Sequence, residues 1–248
     1  MSCISMKPAP IKEKVIAEGA EIYCERRGNG PLLLLITGAE GDAGFYSSAA
    51  DILADEFTVM SYDRRCNSRS TGDRSADMTV AQQVRDATAI IKAMGVDKAI
   101  VFGSSGGAII GLELAAAKPE VIDFLIVHEA PVIELLPAGN AEKWRSFHYN
   151  IYMKSQREGW EAALVDFMAS LIGAPDIAYP PDLNERVSEN MDFFFKHIEK
   201  DFGYCFSVVF HYVSSIISSY CSINDINFLC VSIYKVVTTF HYFCRVIK

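Results

Sequence analysis

Residues 32–37 have the sequence Leu-Leu-Leu-Leu-Ile-Thr, an apolar run that is followed at once by Gly38. A strand with so few polar side chains cannot expose either face to water, and such strands are typical of parallel sheets that are covered on both sides. Residues 57–62 repeat the pattern, and residues 45–54 between the two runs have apolar side chains at helical spacing. Together the three segments predict a strand, a helix and a second, parallel strand.

The alternation of strands and helices continues along the chain. Thr79 can cap a helix with Gln82 as its reciprocal partner, and apolar residues then follow on one face until Gly95 ends the helix. Strands that alternate with helices imply an α/β fold with right-handed crossovers and helices on both faces of the sheet. Further strands are predicted at residues 20–26, 99–102 and 124–127, and a further helix at residues 106–117.

The pattern changes after Pro131, because apolar residues then recur only at helical spacing. We therefore expect a helical insertion over residues 140–197. The predicted organisation is a core of residues 1–139, a helical cap or lid of residues 140–200, and a hydrophobic tail of residues 201–248 with a different composition.

Length and charge limit the classes of function. The chain has 248 residues and a net charge of −8, so it fits one α/β domain and would repel nucleic acid. Residues 1–14 lack the apolar run of a secretory signal, and the seven cysteines include no C-x-x-C pair. These features predict a cytoplasmic protein with reduced thiols.

The motif with the most chemical content is Gly103-Ser104-Ser105-Gly106-Gly107, a G-x-S-x-G pattern between a predicted strand and a predicted helix. A side chain at so sharp a turn needs a strained backbone, and glycines on either side remove Cβ atoms that would clash. The Ser105 oxygen would then lie at the positive end of the helix, where an alkoxide or oxyanion is stabilised. The alternative interpretation is an ordinary turn, since glycine and serine are common in turns.

Two further segments follow predicted strands. Gly38 directly follows the first strand and precedes Ala39, and taken alone it is a plain strand-ending glycine. Residues 61–70 follow the next strand and contain Asp63 and Arg65. For these two residues we prefer a buried structural ion pair that fixes the loop over a catalytic role.

In order and spacing, these three motifs resemble those of the α/β-hydrolase family across residues 20–131. The resemblance implies a mostly parallel sheet flanked by helices, with a helical cap over the active site. It also implies acyl transfer or ester-type hydrolysis, in which Ser105 attacks a carbonyl and the N–H groups of Ala39 and Gly106 hold the oxyanion. A serine at the turn, rather than an aspartate, argues against the dehalogenase and epoxide-hydrolase branches.

The sequence departs from the family pattern at several positions. Thr37 replaces the histidine that usually precedes Gly38, and Cys66 and Ser68 replace glycines of the family's Tyr-Asp-x-Arg-Gly-x-Gly-x-Ser loop. A backbone donor at Ala39 does not depend on the side chain before it, so the first change leaves the predicted oxyanion hole intact.

The family's acid and base follow the serine along the chain, with the base a histidine on a loop after the last strand. Glu129 directly follows the strand predicted at residues 124–127 and is the candidate acid; the alternative is a carboxylate that ends the strand in solvent. His211 and His241 come late enough for the base, but neither follows a recognisable strand and turn, so the base is unassigned. The remaining histidines are at positions 128, 148 and 197, near the serine or in the helical insertion.

Residues 202–248 have no proline or glutamate and are rich in Phe, Tyr, Ser, Ile, Val and Cys. Nothing in this tail resembles the family's last two strands, so we expect the final strands to be missing or replaced. One explanation is a read-through or alternatively spliced end. Another is a membrane segment at residues 202–223, which has about 20 residues without a charge, although its serines argue against insertion.

Two functions remain open at this level. The first is a serine hydrolase acting on an ester-like or other acyl bond of a small, largely apolar substrate, and the second is a catalytically inactive relative that lacks the histidine. No His or Cys cluster has the spacing of metal ligands, and no glycine-rich phosphate loop opens a helix, so neither a metal nor an organic cofactor is predicted. The sequence leaves the oligomeric state open.

Overall fold

The computed structural model describes residues 7–76, 79–133, 136–170 and 180–198. Its strands are β1 (Ile11–Ala17), β2 (Ala20–Arg27), β3 (Leu32–Ile36), β4 (Thr58–Tyr62), β5 (Ala99–Ser104) and β6 (Ile122–His128). They form one sheet in the order β1-β2-β4-β3-β5-β6. The pairs β1–β2 and β2–β4 are antiparallel, whereas β4–β3, β3–β5 and β5–β6 are parallel. The predicted mostly parallel sheet is confirmed.

Helices flank this sheet and then continue beyond it. They are α1 (Ser47–Leu53), α2 (Val80–Ala93), α3 (Gly106–Ala117), α4 (Ala138–Glu158), α5 (Trp160–Ser170) and α6 (Pro181–Phe193). A π-helical turn, Phe194–Ile198, follows α6, and short 3-10 helices occur at Ala43–Tyr46 and Pro119–Val121. In place of the single helix predicted over residues 45–54, the structure has a 3-10 helix followed by α1. Asp42 caps the 3-10 helix by accepting a hydrogen bond from the N–H of Gly44.

All five side chains of β3 are buried, as the apolar run predicts. Leu34 and Ile36 belong to the core cluster that also contains the apolar residues of α2 and α3. Leu33 and Leu35 belong to a second cluster with residues of α1 on the opposite face. Alternate side chains of a strand point to opposite faces, so the two clusters show that helices cover both sides of the sheet.

The predicted Thr79 cap of α2 is also confirmed, but its reciprocal half is not. The Gln82 side chain donates to Glu18 and Asp86. The Thr79 side chain accepts a hydrogen bond from the N–H of Gln82 at 3.2 Å, and Gly95 has φ +68° just beyond the end of the helix. The tail of residues 201–248, including the membrane segment considered at residues 202–223, lies outside the described residues. Among the helices that the structure does describe, none combines the length and the apolarity needed to cross a bilayer.

The loop between β4 and α2 bends through two left-handed residues that are not glycine. Cys66 has φ 64° and Ser68 has φ 47°, and these are the positions at which the resemblance expects glycine. A side chain in this region brings its Cβ close to the backbone, at a cost of roughly 1–2 kcal/mol. The loop therefore carries backbone strain at the two positions where the resemblance expects glycine.

We expect Cys66→Gly to be more stable than Cys66→Ala by about 1 kcal/mol, because both variants lose the sulfur but only glycine relieves the positive φ. Urea unfolding of the two variants measures the difference. The control is the same pair of changes at Cys24, a buried residue in β2 without a positive φ. There the order should reverse, and the same order at both positions would contradict the strain at Cys66.

Candidate active site

Ser105 lies between the end of β5 and the start of α3, with φ 53° and ψ −122°. L-amino acids rarely adopt this conformation, and such strain is concentrated at functional sites. The Ser105 N–H donates to the carbonyl oxygen of His128 at 2.9 Å, which ties the turn to the end of β6. The structure thus has the predicted strand-to-helix turn at Ser105.

Gly103 and Gly107 let α3 pack against the ends of β3 and β5. A Cβ on Gly103 would lie 2.2 Å from the carbonyl oxygen of Gly107, and a Cβ on Gly107 would lie 2.2 Å from that of Ile36. No side chain fits against a backbone oxygen at this distance. The glycines on either side of Ser105 are therefore a packing requirement of the turn.

The turn after β3 lies beside Ser105. A Cβ on Gly38 would be 3.1 Å from the Cβ of Ser105 and 3.2 Å from Oε2 of Glu40. Ala39 directly follows Gly38, and Gly106 directly follows Ser105. The two segments from which the oxyanion hole was predicted are therefore neighbours in the fold.

Glu40 and Arg64 are charged residues at this turn that the sequence analysis did not single out. Arg64 is fully buried, and its Nη2 donates to the carbonyl oxygen of Ala39 at 3.4 Å. Among the described residues, its Nε and Nη1 have no hydrogen-bond partner. Burial lowers the pKa of Arg64 to about 10. Burial raises the pKa of the Glu40 carboxyl, and its own backbone N–H and the Arg64 guanidinium only partly offset this.

The predicted ion pair between Asp63 and Arg65 is wrong. Asp63 is bound by Arg69, whose Nε and Nη2 donate to the two carboxylate oxygens at 2.7 and 2.8 Å. Arg65 instead donates from Nε to Asp86 of α2 at 2.9 Å and from Nη2 to the carbonyl oxygen of Ala17 at 2.7 Å. Arg65 begins a turn, whereas Asp63 directly follows β4, so the two side chains meet different elements. Each of the two residues thus forms an ion pair with a different partner, and the Asp63 and Asp86 carboxylates of these pairs are buried.

Glu129 follows β6 at the edge of the sheet that carries Ser105. It has φ 51°, and its side chain is 78% exposed. Its Oε1 lies 3.9 Å from Nε2 of His128. Nδ1 of the same histidine is 2.9 Å from Oγ of Ser104, its partner in the parallel register of β5 and β6. The sequence analysis missed this Ser104–His128 contact because it predicted both strands but not the register between them.

The remaining histidines leave the base unassigned. The His148 ring in α4 lies among aromatic rings, with its centroid 5.6 Å from that of Phe147 and 6.4 Å from that of Phe167. His211 and His241 lie outside the described residues, as does the side chain of residue 197. In the described part of the chain, no group of three or more His, Cys, Asp or Glu side chains could hold a metal ion.

Sequence comparison identifies relatives that are named as hydrolases. A family model described as alpha/beta hydrolase fold matches residues 31–174. YraK of Bacillus subtilis, named as an uncharacterised hydrolase, is 33% identical over 154 residues, which cover 62% of this chain and 55% of YraK. RutD of Azorhizobium caulinodans, named as a proposed carbamate hydrolase, is 36% identical over 108 residues, which cover 44% of this chain and 40% of RutD. The matches thus span about half the length of these relatives.

A solved structure supports the same relationship. The crystal structure of an alpha/beta hydrolase from Sphaerobacter thermophilus matches with a TM-score of 0.57 and 26% sequence identity. The match covers 77% of this chain and 72% of that chain. The similarity therefore extends well beyond the residues around the strand-to-helix turn.

The raised pKa of Glu40 predicts a pH-dependent effect of Glu40→Gln. The native state keeps the Glu40 proton at pH values where the unfolded chain, with a carboxyl pKa of about 4.3, has lost it. In that interval unfolding releases the Glu40 proton, so the free energy of unfolding of the wild-type protein falls as the pH rises. Glutamine does not titrate, so the free energy of unfolding of the variant does not fall for this reason. We therefore expect Glu40→Gln to gain stability relative to wild type over a pH range that begins at about 4, the unfolded-state pKa, and extends upwards. Urea unfolding across this range measures the trend, and a constant difference between the two proteins would refute it.

Proposed function

The chain belongs to the alpha/beta hydrolase fold family, and we propose that it is a serine hydrolase that uses Ser105 to cleave an ester-like or other acyl bond. The observation that carries this proposal is the strained Ser105 at the strand-to-helix turn, with the turn at Gly38 beside it. A nucleophile in this position is exposed at the end of the sheet and lies at the positive end of α3.

The proposed reaction has two halves. Ser105 Oγ attacks the carbonyl carbon and loses its proton to a base, while the backbone N–H groups of Ala39 and Gly106 stabilise the oxyanion. The carbonyl re-forms, the bond to the leaving group breaks, and the leaving group takes up the proton. Water then attacks the acyl-enzyme. This step releases the acyl group as its free acid and restores the Ser105 hydroxyl. We keep His211 and His241 as the candidates for the base.

We further propose that Glu129 is the acid that orients this base. Glu129 and Ser105 are the residues that follow adjacent parallel strands, and both have a positive φ. Strain of this kind at two neighbouring strand ends supports a shared site. The Glu129 carboxylate is 78% exposed and can accept a hydrogen bond from a further residue.

The proposed substrate is small and largely apolar. Trp144 and Phe147 of α4 and Phe167 of α5 supply aromatic surface in the helical region that the resemblance compares with a cap, and Trp144 is 39% exposed. The name given to RutD supports a carbamate as one form of the acyl bond. We propose that α4, α5 and α6 form this cap.

Fluorophosphonate labelling tests the nucleophile, because only a serine activated by a base and an oxyanion hole reacts at a useful rate. We expect wild-type protein to be labelled, Ser105→Ala to show no labelling, and Ser104→Ala, the matched neighbouring serine, to remain labelled.

Other outcomes separate the alternatives. Labelling that disappears in Ser104→Ala but persists in Ser105→Ala would assign the nucleophile to Ser104. No labelling of wild-type protein that unfolds cooperatively would identify a catalytically inactive relative with the hydrolase fold.

For the acid, we expect Glu129→Gln to slow labelling by roughly 10²-fold or more while the thermal unfolding midpoint changes little, because the side chain is exposed but orients the base. Asp123→Asn, an exposed change near the other end of β6, is the control and should label at the wild-type rate. Equal rates for the two variants would remove Glu129 from the proposed mechanism.

A further inference from the structure

Asn190 of α6 connects two loops that lie far from it in the sequence. It is fully buried, and its Nδ2 donates to the carbonyl oxygen of Glu40 at 2.7 Å and to Oγ of Ser68 at 2.8 Å. Its Oδ1 accepts a hydrogen bond from the N–H of Ser68 at 2.8 Å. Both amide N–H groups and the amide oxygen therefore have partners, which is the condition under which a buried polar side chain stabilises a unique arrangement.

Arg186 lies one helical turn before Asn190 and contacts the same segment. Its Nε donates to Oδ2 of Asp42 at 2.7 Å, and the Asp42 side chain is fully buried. Burial alone would raise the pKa of Asp42, but the hydrogen bonds from Arg186 and Ser68 and the charge of Arg69 hold it below the usual range. Asp42 is therefore ionised at neutral pH and paired with Arg186.

These contacts fall on the turn of residues 38–42, which lies beside Ser105. The turn has no sheet hydrogen bonds to fix it, since β3 ends at Ile36. Gly41 adopts φ +66°, and its carbonyl oxygen accepts a hydrogen bond from the N–H of Arg64 at 2.8 Å, which holds the turn from the side of the β4–α2 loop. Asn190 and Arg186 hold the turn from one side, at Glu40 and at Asp42.

We infer that Asn190 and Arg186 are positioning residues that hold the turn of residues 38–42, and with it the N–H of Ala39, in place beside Ser105. The catalytic part of this inference rests on the proposed function. A misplacement of about 1 Å can lower a rate by roughly 10²-fold, so loss of either contact would slow acylation although neither residue touches the substrate. In this role α6 is a fixed support for the site.

The first test is hydrogen exchange in Asn190→Ala, which removes all three side-chain hydrogen bonds. We expect amides of residues 39–45 to exchange about tenfold faster or more, while amides of α2 keep their wild-type protection. Ser188→Ala is the matched control on the same helix, because its hydroxyl donates only within α6, to the carbonyl oxygen of Asn184. It should leave both segments unchanged.

Arg186→Gln is the second variant, in case Asn190→Ala does not fold. It keeps a polar side chain but removes the charge that pairs with Asp42, and Arg186→Lys restores that charge. We expect faster exchange of residues 39–45 in Arg186→Gln and partial recovery in Arg186→Lys. Unchanged exchange in both Asn190→Ala and Arg186→Gln would overturn the inference, as would faster exchange that includes α2 to the same extent.

The catalytic readout is the rate of fluorophosphonate labelling of the same variants. We expect a loss of roughly 10²-fold in the rate of the covalent step, with little change in the probe concentration that gives half-maximal rate. Wild-type rates in variants whose turn exchanges faster would overturn the positioning role. If wild-type protein is not labelled at all, the proposed function fails, while the exchange data still decide whether α6 holds the turn.

Discussion

Helix α3 meets the carboxyl ends of β3 and β5 at backbone contact. The space that a Cβ would occupy at Gly107 is filled by the carbonyl oxygen of Ile36, and that at Gly103 by the carbonyl oxygen of Gly107. This packing forces the chain at Ser105 into a strained turn, which is held by the hydrogen bond to His128 and by the buried apolar side chains of α3. The core of the fold thus supplies the free energy that keeps the candidate nucleophile in its unusual conformation.

A network of buried charges organises the loops around this turn. Asp42 and Asp63 are both fully buried, and Arg69 contacts both carboxylates, at 3.2 and 2.7 Å. Two buried carboxylates that share one guanidinium disfavour each other's ionisation. Burial, with a contribution from Asp42, raises the pKa of Asp63, whereas the hydrogen bond from Arg186 is the largest influence that lowers the pKa of Asp42 against its burial. The second guanidinium comes from α6, so the helices after the sheet take part in the electrostatics of the core.

The sheet was largely predictable because its inner strands are buried on both faces and have few polar residues. The exception is β1, which the sequence analysis did not predict. Lys12, Glu13 and Lys14 lie in its first half, and Ile16 is 69% exposed. Among the described strands, β1 lies at the edge of the sheet and pairs with β2 alone. An edge strand exposed on one side has no need of a continuous apolar run, so hydrophobicity alone does not reveal it.

The sequence by itself determined the alternation of strands and helices, the cap at Thr79 and the strand-to-helix turn at Ser105. These features depend on hydrophobic periodicity and on glycine, which act over a few residues. Only the tertiary structure decided that Arg65 pairs with Asp86, that Ser104 meets His128, and that Asn190 binds the turn at Glu40. The last two residues are 150 positions apart, and their contact depends on how α6 packs against the loops after β3 and β4. The sequence shows that a charged or polar side chain can form an ion pair or a hydrogen bond. Which residue becomes its partner depends on how distant elements pack together.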